Sequence, residues 1–468
     1  MLLWLVVSGC SFTRFGYTPC EAPVECRDAF GFGSTCGDDG YCRAVEPLAR
    51  CGHTNPPDLL DKPEKYADAI VFASVFDSAY DYLEEQAAEL AVIGVNAQNG
   101  LDGVEYGIIQ CDYNADGTTD FDNDEEDVVV ERIGKWLHNE VGVTGLVGSS
   151  TSASTQVLYP FTGERGVLMI SPSATSPALT YLDGVQHTDD DPGLLWRTVP
   201  SDAAQAVAIA QDMAARNVQS VGVIAVTGAY GEGLANAFLD AYSGDGRRID
   251  IYTYDETDTV LLGDHLQSVA AGGYDEALYI GSTVRAVAGF LNGAATFATF
   301  QDGETGIFLT DAARYDSLFE DAAPAAALYP YVRGTSPAAP SGPVYESFRG
   351  AFASQFGGDS ADGSIYTSYA FDAAWLMIYG SAWSAFQEGE VTGVGMAKGL
   401  RHLSAGDDVP IRTTSWTTVT ANFEAGQSVD IEGASGPLDF DPQTEETTNA
   451  VDVWVIDGAA FTNVDRVQ

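Results

Sequence analysis

Strand-like and helix-like segments alternate from Ala69 onward, and this alternation restricts the fold more than any other feature of the sequence. "AIVFASV" (69–75) predicts a buried strand, and the apolar spacing over Ala79–Ala97 predicts a helix. The strands "VEYGIIQC", "TGLVG" and "GVLMI" follow, separated by helices predicted at Glu125–Asn139 and Ser154–Thr162. Such an order favours a mostly parallel sheet with helices on both faces.

A second α/β run begins at "RTVPSDAAQ". Its predicted strands are "SVGVIAV", "IDIYTY", "EALYIG" and "GIFLT", and its predicted helices are Ala203–Arg216, Gly231–Tyr242, Leu262–Ala271 and Val284–Ala298. The chain has 468 residues, 45% of them hydrophobic, which is enough for two packed lobes. The sequence therefore predicts two α/β units in tandem.

The charge balance argues against two classes of partner. Aspartate and glutamate number 68 against 21 lysines and arginines, for a net charge of −47. Nucleic acids and anionic membrane surfaces are bound by basic groups, so we expect this chain to bind neither. The acidity has two interpretations, which are solubility and the steering of a cationic ligand.

The N-terminus reads as an export signal. "MLLWLVVSGC" is a short apolar run that ends in small residues, and "VSGC" resembles a bacterial lipobox. We expect residues 1–9 to be a signal peptide and Cys10 to carry the lipid. This places the protein in the periplasm or on the cell surface of a bacterium, anchored to the membrane. No Lys or Arg precedes the apolar run, and an ordinary buried strand is the alternative interpretation.

The cysteines predict disulfides in the segment that follows. There are seven, and without Cys10 the remaining six can all pair. We interpret residues 10–50 as a Cys-rich stalk and linker, too poor in apolar residues to bury a core without disulfides. We expect Cys51 to pair with Cys111. The other four cysteines are Cys20, Cys26, Cys36 and Cys42. We expect them to pair among themselves, and three pairings are possible. Zinc is the alternative, but no C-x-x-C pair is present.

Two small, neutral loops follow the predicted strands "TGLVG" and "GVLMI". In open α/β sheets, ligands bind beyond the carboxyl ends of the strands. Ser176-Pro177 predicts a helix N-terminus, and Ser152 or Ser154 can cap another. Helix N-termini favour carboxylates, and the hydroxyls of Ser152 and Thr175 add neutral donors. The loops are therefore either an anion-binding site or ordinary helix caps.

From Ala69 to Val464 the chain resembles the type I periplasmic binding proteins of the leucine/isoleucine/valine-binding family. The resemblance is carried, in chain order, by "AAELAVIGVNAQNG", "GLVGSSTSASTQ", "GVLMISPSATSPALT", "LWRTVPSDAAQ", "AYGEGLANAF" and "GPLDFDP". It implies a binding domain over 51–468 whose two lobes close on a ligand. Lobe 1 would comprise about 68–200 and 335–435, and lobe 2 about 201–334 and 436–468.

The resemblance also implies which residues contact the ligand. The α-carboxylate would meet Ser152, the main chain of Ser173 and the hydroxyl of Thr175. The aromatic ring of Tyr80 would pack on the ligand, and Tyr230 would face the cleft from the second lobe.

Two further positions complete this set. Asp311 would accept the α-ammonium group. Thr283 stands where relatives often carry a tyrosine, which removes one aromatic contact and leaves the side-chain preference open.

The acidic segment after "VEYGIIQC" suggests a metal site. Part of it matches D-x-N-x-D-G-x-x-D, the start of a calcium loop, at Asp112, Asn114, Asp116, Gly117 and Asp120. The closing position is the neutral Asn123, and a solvated acidic loop is the alternative. Apart from this calcium, no cofactor is implied.

Enzyme signatures such as G-x-S-x-G, H-E-x-x-H and the P-loop are absent. We interpret the chain as an exported lipoprotein that binds a small solute, with an amino acid as the favoured class. The resemblance implies delivery to an ABC-type permease. The alternatives are a sensor that signals through a membrane receptor without transport, and an enzyme or structural surface protein whose cleft is vestigial.

Overall fold

The computed structural model describes residues 17–114, 126–184, 186–244 and 246–467. Its helices are α1 (Pro23–Phe30), α2 (Tyr82–Asn96), α3 (Glu126–Lys135), α4 (Ser152–Leu158), α5 (Asp202–Ala215), α6 (Ala229–Tyr242), α7 (Thr259–Gly272), α8 (Val284–Ala294), α9 (Ala298–Gln301), α10 (Leu318–Asp321), α11 (Pro343–Phe356), α12 (Thr367–Trp383), α13 (Gly393–Leu400) and α14 (Trp416–Glu424).

The strands within the same residues fall into two large sheets and two small pairs. They are β1 (Ser34–Cys36), β2 (Cys42–Ala44), β3 (His53–Asn55), β4 (Ile70–Phe76), β5 (Tyr106–Asp112), β6 (Gly145–Gly148), β7 (Leu168–Ser171), β8 (Leu195–Arg197), β9 (Ser220–Val226), β10 (Arg248–Tyr254), β11 (Glu276–Ile280), β12 (Gly306–Leu309), β13 (Val332–Pro337), β14 (Asp407–Pro410), β15 (Val429–Glu432), β16 (Val451–Asp457) and β17 (Ala460–Val467).

The first lobe is built on a six-stranded sheet of order β3-β5-β4-β6-β7-β8. Strands β5, β4, β6, β7 and β8 run parallel, and β3 joins the edge antiparallel to β5. Helices α2, α11 and α12 cover one face, while α3 and α4 cover the other. The mostly parallel sheet with helices on both faces, predicted from the alternation of patterns, is confirmed for this lobe.

The second lobe is built on a seven-stranded sheet of order β10-β9-β11-β12-β13-β16-β17. The strands from β10 to β13 are parallel, and β16 and β17 complete the sheet as an antiparallel pair. Helices α5 and α6 pack on one face, and α7 and α8 pack on the other. The expectation of two tandem α/β units is thus confirmed, with an antiparallel edge that the alternation of patterns did not predict.

Each lobe receives residues from distant parts of the chain. The chain enters the second lobe after β8, returns to the first after β13, and enters the second again at β16. Leu438 is fully buried in the core of the first lobe, and Glu446 pairs with Arg197 there. The structure therefore places residues 436–447 with the first lobe, whereas the sequence assigned them to the second.

Helix α12 is the central support of the first lobe. All of its 17 residues are buried, from Thr367 to Trp383. A helix that is buried on every side needs cover on every side, and α2, α13 and α14 provide much of it. This packing fixes the loop that precedes α12. That loop reaches the cleft between the lobes.

The N-terminal segment is held by disulfides, as predicted. Cys20 pairs with Cys36 and Cys26 with Cys42, while the expected bridge from Cys51 to Cys111 is confirmed. Because these cysteines are paired with one another, the zinc alternative is wrong.

The segment packs on the first lobe. Val45 contributes to the lobe's core, and the guanidinium of Arg43 bonds the carboxylate of Glu140 at 2.9 Å. The predicted signal peptide and Cys10 lie outside the described residues. Within those residues, no helix combines the length and apolarity that crossing a bilayer requires.

Candidate functional site

A cavity of about 370 Å³ lies between the lobes, at the carboxyl ends of the parallel strands of both sheets. Its volume is within the range of small-molecule sites. It is lined by Asp77, Tyr80, Asp81, Tyr113, Glu126, Asp127, Ser150, Thr151, Ser152, Ala153, Ser173, Val226, Thr227, Ala229, Tyr230, Asp255, Glu256, Ser282, Thr283, Val284, Asp311, Ala312, Tyr315 and Tyr366.

The loop after β6 brings a serine to the cavity wall. Gly148 ends the strand with a φ of +118°, and a Cβ there would stand 2.6 Å from the carbonyl oxygen of Val75. Glycine thus permits the close approach from which the loop turns. Ser152 follows, buried to 2% exposure, and its Oγ accepts from the backbone N–H of Ser176 at 3.1 Å. Among the described residues no acceptor takes its proton, so the hydroxyl is available to donate.

The cap of α4 differs from the prediction. Thr151, rather than Ser152 or Ser154, stands at the N-cap, and its side chain accepts from the N–H of Ser154 at 3.1 Å. Ser176 does accept from the N–H of Ala178, but the turn that follows is a three-residue 3₁₀ segment rather than a helix. Three hydroxyl residues within four positions leave the capping residue undecided until the backbone path is known.

The loop after β7 contributes one lining residue instead of the expected two. Ser173 lines the cavity and donates its hydroxyl to the carbonyl oxygen of Ser150 at 2.9 Å. Thr175 lies outside the lining, and its hydroxyl donates to Oδ2 of the buried Asp202 at 2.9 Å. Burial is the main cause that holds the pKa of Asp202 well above its usual range, and repulsion from the carboxylate of Asp311 adds to it. Thr175 therefore supports the crossing between the lobes rather than the cavity surface.

Asp311 is the most enclosed carboxylate of the cavity wall, at 3% exposure. Its Oδ1 accepts from Nε2 of Gln205 at 2.8 Å and from the hydroxyl of Tyr230 at 2.6 Å, and its Oδ2 accepts from the hydroxyl of Tyr366. The N-cap of the following 3₁₀ turn is Thr310, so Asp311 does not serve as the cap. Three fixed donors orient its carboxylate and leave a lone pair of Oδ2 free for a further donor.

The remaining predicted contacts also reach the cavity. Tyr80 packs on the core of the second lobe, although it belongs to the first. Burial raises the pKa of Tyr230 well above its usual value, which keeps its hydroxyl a donor. Thr283 caps α8 and donates its hydroxyl to Oε1 of Glu256 at 2.9 Å. The structure thus brings six of the seven predicted contact residues to one cavity and leaves out Thr175.

Sequence reasoning missed most of the acidic lining. Besides Asp311, the described part of the cavity wall carries six carboxylates: Asp77, Asp81, Glu126, Asp127, Asp255 and Glu256. Burial and the proximity of Asp77 raise the pKa of Asp81 to about 7. Enclosure and repulsion from Asp77, Asp127 and Glu256 raise the pKa of Glu126 to about 7. Asp255 directly follows a predicted strand and Asp77 follows another after one residue, which is the signal that could have found them.

One cation, Arg285, acts on these acids although it is not among the described residues that line the cavity. The guanidinium of Arg285 stands 5.8 Å from the ring centroid of Tyr80. Its charge partly lowers the raised pKa of Asp77 and of Glu126. No lysine or arginine is among the described residues that line the cavity.

The predicted calcium loop is described only in part. Asp112 accepts from the backbone N–H of Ser78 and of Asn114, and the amide of Asn114 donates to Asp77 at 2.6 Å. The other predicted ligands, Asp116 and Asp120, lie outside the described residues, and calcium remains a prediction.

A second acidic group lies away from the cavity. Ligand atoms of Asp183, His187 and Glu445 lie within 4.8 Å of one another. Arg401 already bonds Oε1 of Glu445 at 3.0 Å, which makes the group a buried ion network. Burial is the main cause that raises the pKa of Glu445 to about 8, and repulsion from Asp183 adds to it.

Comparison with known proteins agrees with this geometry. The family model described as "Receptor family ligand binding region" matches residues 83–459. A Leu/Ile/Val-binding protein of Escherichia coli is 30% identical over 162 residues, which are 34% of this chain and 39% of the relative. A homologue from Brucella melitensis is 33% identical over 145 residues. The chain thus matches about two fifths of the length of these curated relatives.

Solved structures match over a larger part of the chain. The branched-chain amino acid transporter substrate-binding protein of Streptococcus pneumoniae, in complex with isoleucine, superposes with a TM-score of 0.63 at 19% identity, covering 85% of this chain and 99% of that one. A solute-binding protein of an ABC transporter from R. palustris, in complex with 4-hydroxybenzoate, gives 0.64 at 14% identity, covering 86% and 97%. At these identities the likeness establishes the type I periplasmic-binding-protein fold. The proteins matched are solute-binding proteins rather than enzymes.

Proposed function

This chain belongs to the family of receptor-type ligand-binding regions, and from that premise we propose that it captures a small solute between its lobes, with an amino acid as the favoured class. The observation that carries the proposal is the cavity at the carboxyl ends of both parallel sheets, lined by groups of opposite hydrogen-bonding character. One wall offers the free donor of Ser152, and another offers the oriented acceptor of Asp311. A zwitterion needs both.

The roles follow from these contacts. Ser152 donates to the ligand carboxylate, and Ser173 contributes main-chain atoms of its loop. Asp311 accepts the α-ammonium, because an enclosed cation without an acceptor is costly. Tyr80 and Tyr230 cover the ligand from either lobe. Thr175 has an indirect role, since its hydroxyl holds Asp202 at the crossing between the lobes.

Contacts across the cleft support closure as the binding motion. The hydroxyl of Ser176 donates to the carbonyl oxygen of Ala229 at 2.6 Å, which links the lobes directly. Tyr315 of the second lobe donates to Asp81 of the first at 3.3 Å. A ligand that contacts both walls stabilises the closed arrangement by its differential affinity for it.

A thermal-shift screen tests solute binding. The mature protein would be melted with the twenty amino acids, small amides and aromatic acids. A ligand at a hundredfold excess over its Kd adds about 2.7 kcal/mol to the free energy of unfolding, which raises the melting temperature. We expect at least one amino acid to do so. Unchanged melting with every compound would contradict the proposal and leave a vestigial cleft.

We further propose that the protein is a bacterial lipoprotein outside the cytoplasm that delivers its ligand to an ABC-type permease. The name of the Streptococcus pneumoniae relative, a transporter substrate-binding protein, supports delivery to a transporter. In cell fractionation, Cys10→Ser should move the protein from the membrane to the soluble fraction, because the lipid is its anchor. If mass spectrometry finds an unmodified Cys10 in the mature protein, the lipid anchor is contradicted. Delivery is tested by measuring uptake of the screened ligand in a strain that lacks this protein, where we expect uptake to fall.

A further inference from the structure

The charge of the cavity goes beyond what a neutral amino acid requires. Of the 24 described residues that line the cavity, seven are acidic and none is basic. Acidic residues make up 68 of the 468 in the whole chain, so the lining has about twice the average share. Asp81 and Asp311 are buried, at 6% and 3% exposure, whereas carboxylates that serve solubility lie in water. The solubility interpretation therefore does not account for this surface.

The acids come from both lobes, so closing the cleft brings like charges together. The first lobe supplies Asp77, Asp81, Glu126 and Asp127, and the second supplies Asp255, Glu256 and Asp311. Repulsion between such groups is strong in a site partly withdrawn from water. A single ammonium on Asp311 leaves the other six carboxylates of the described lining with Arg285, 5.8 Å from the ring centroid of Tyr80, as a partial counter-charge. The pKa of Asp81 and of Glu126 stays raised to about 7 in spite of it. A second cation on the ligand would offset this repulsion.

The aromatic lining points to the same ligand independently of the carboxylates. Five tyrosines line the cavity: Tyr80, Tyr113, Tyr230, Tyr315 and Tyr366. The faces of aromatic rings attract ammonium and guanidinium groups. Rings and carboxylates together form a surface suited to organic cations.

The buried hydroxyl of Ser152 points to a carboxylate on the same ligand. Ser152 is 2% exposed, accepts from Ser176, and has no described acceptor for its own proton. A carboxylate oxygen of the ligand would take that proton, since a buried donor without a partner costs stability.

Resting on the proposed function, we infer that the solute carries two separate cationic groups and one carboxylate, which is the chemistry of a basic amino acid. Asp311 takes the α-ammonium. Glu256, held by the hydroxyls of Ser282 and Thr283, takes the side-chain cation together with Glu126 from the facing lobe.

Three matched compounds test the inference by isothermal titration of the mature protein. L-lysine has all three groups, L-norleucine lacks the second cation, and cadaverine lacks the carboxylate. We expect lysine to bind at least about 10-fold tighter than either, because hydrogen bonds to charged groups contribute more than neutral ones. The trio of arginine, citrulline and agmatine repeats the test with a guanidinium. Added salt should weaken lysine binding more than norleucine binding.

Variants locate the second cation. Glu256→Gln keeps the shape and an acceptor for Thr283, and we expect it to lower lysine affinity about 10-fold or more while leaving norleucine affinity unchanged. Glu304→Gln is the matched control, since Glu304 is exposed and outside the cavity. Both variants should melt within a degree or two of the wild type, which separates binding loss from misfolding.

The outcomes separate the inference from the function on which it rests. Equal affinity for norleucine and lysine would overturn the second cation, and equal affinity for cadaverine and lysine would overturn the role of Ser152. Binding of leucine or isoleucine, but of no basic amino acid, would refute the inference and leave solute capture standing. Failure of every solute to bind would refute both.

Discussion

Substitution of Asp311 by asparagine removes a charge from the cavity while keeping the shape of the side chain. In the wild type, Oδ1 accepts from Gln205 and Tyr230, and Oδ2 accepts from Tyr366. The asparagine oxygen can keep the first two bonds, and the amide can donate to the hydroxyl of Tyr366 after that hydroxyl rotates. Asp311→Asn is therefore expected to fold.

The expected effects on binding and on folding differ in size. Loss of one partner of an enclosed charge pair costs about 2–5 kcal/mol, which is a loss in affinity of about 30-fold or more. In the free protein, each hydrogen bond to residue 311 changes from a charged to a neutral one, which lowers the free energy of unfolding by about 1 kcal/mol per bond. Relief of the repulsion between Asp311 and the buried Asp202 offsets part of that loss. We thus expect a small change in stability and a large loss of binding.

The assay is isothermal titration with the tightest amino acid from the screen, accompanied by thermal melts of the free proteins. Asp302→Asn is the control, because Asp302 is exposed, lies in the same lobe and is outside the cavity. An unchanged affinity for Asp311→Asn would remove Asp311 from the ligand contacts. A large drop in melting temperature with unchanged binding would instead assign it a purely structural role.

Three further predictions concern stability. Cys51→Ser/Cys111→Ser opens a loop of 60 residues and should cost about 4 kcal/mol in urea unfolding, with the other two disulfides intact; an unchanged midpoint would contradict a stabilising role. If the loop after β5 binds calcium, a chelator should lower the melting temperature, and Asp116→Ala should abolish that response; identical melts with and without chelator would leave only a solvated loop. Burial raises the pKa of Glu84 from 4.5 to about 8. Between those values the unfolded chain releases a proton that the folded chain keeps, so stability should fall as pH rises from about 4.5 to 8. Glu84→Gln should flatten this dependence relative to Glu304→Gln, and parallel curves would refute the assignment.

Local patterns predicted the elements well where the hydrophobic period is strong. The strand Ser220–Val226 has the same bounds in the prediction and in the structure, and the helix predicted at Ala203–Arg216 is observed at Asp202–Ala215. The ends of helices were less predictable where the helix changes from α to π geometry. The helix predicted to Asn139 leaves α geometry at Lys135 and continues as a π turn over Trp136–Val141.

The site was less predictable because its contacts are long-range. Thr175 is a hydroxyl in the expected loop, but its partner Asp202 lies 27 residues further on and in the other lobe's first helix. Asp255 and Glu256 follow a strand, yet in so acidic a chain many strand ends carry acids. Only the three-dimensional arrangement of the two sheets shows which of these acidic residues face the same cavity. Tyr366 had no local signal, since it reaches the cleft through the packing of α12.

The path of the chain between the lobes bears on how the protein matures. The core of the first lobe needs α12, which is synthesised after most of the second lobe. The sheet of the second lobe needs β16 and β17, which follow the other described strands. Neither lobe can complete its core while the chain is still emerging, although domains commonly fold in order during synthesis. An emerging chain therefore remains incompletely folded until β16 and β17 have been synthesised. That delay would suit the proposed export, because a secretion pore admits an unfolded chain.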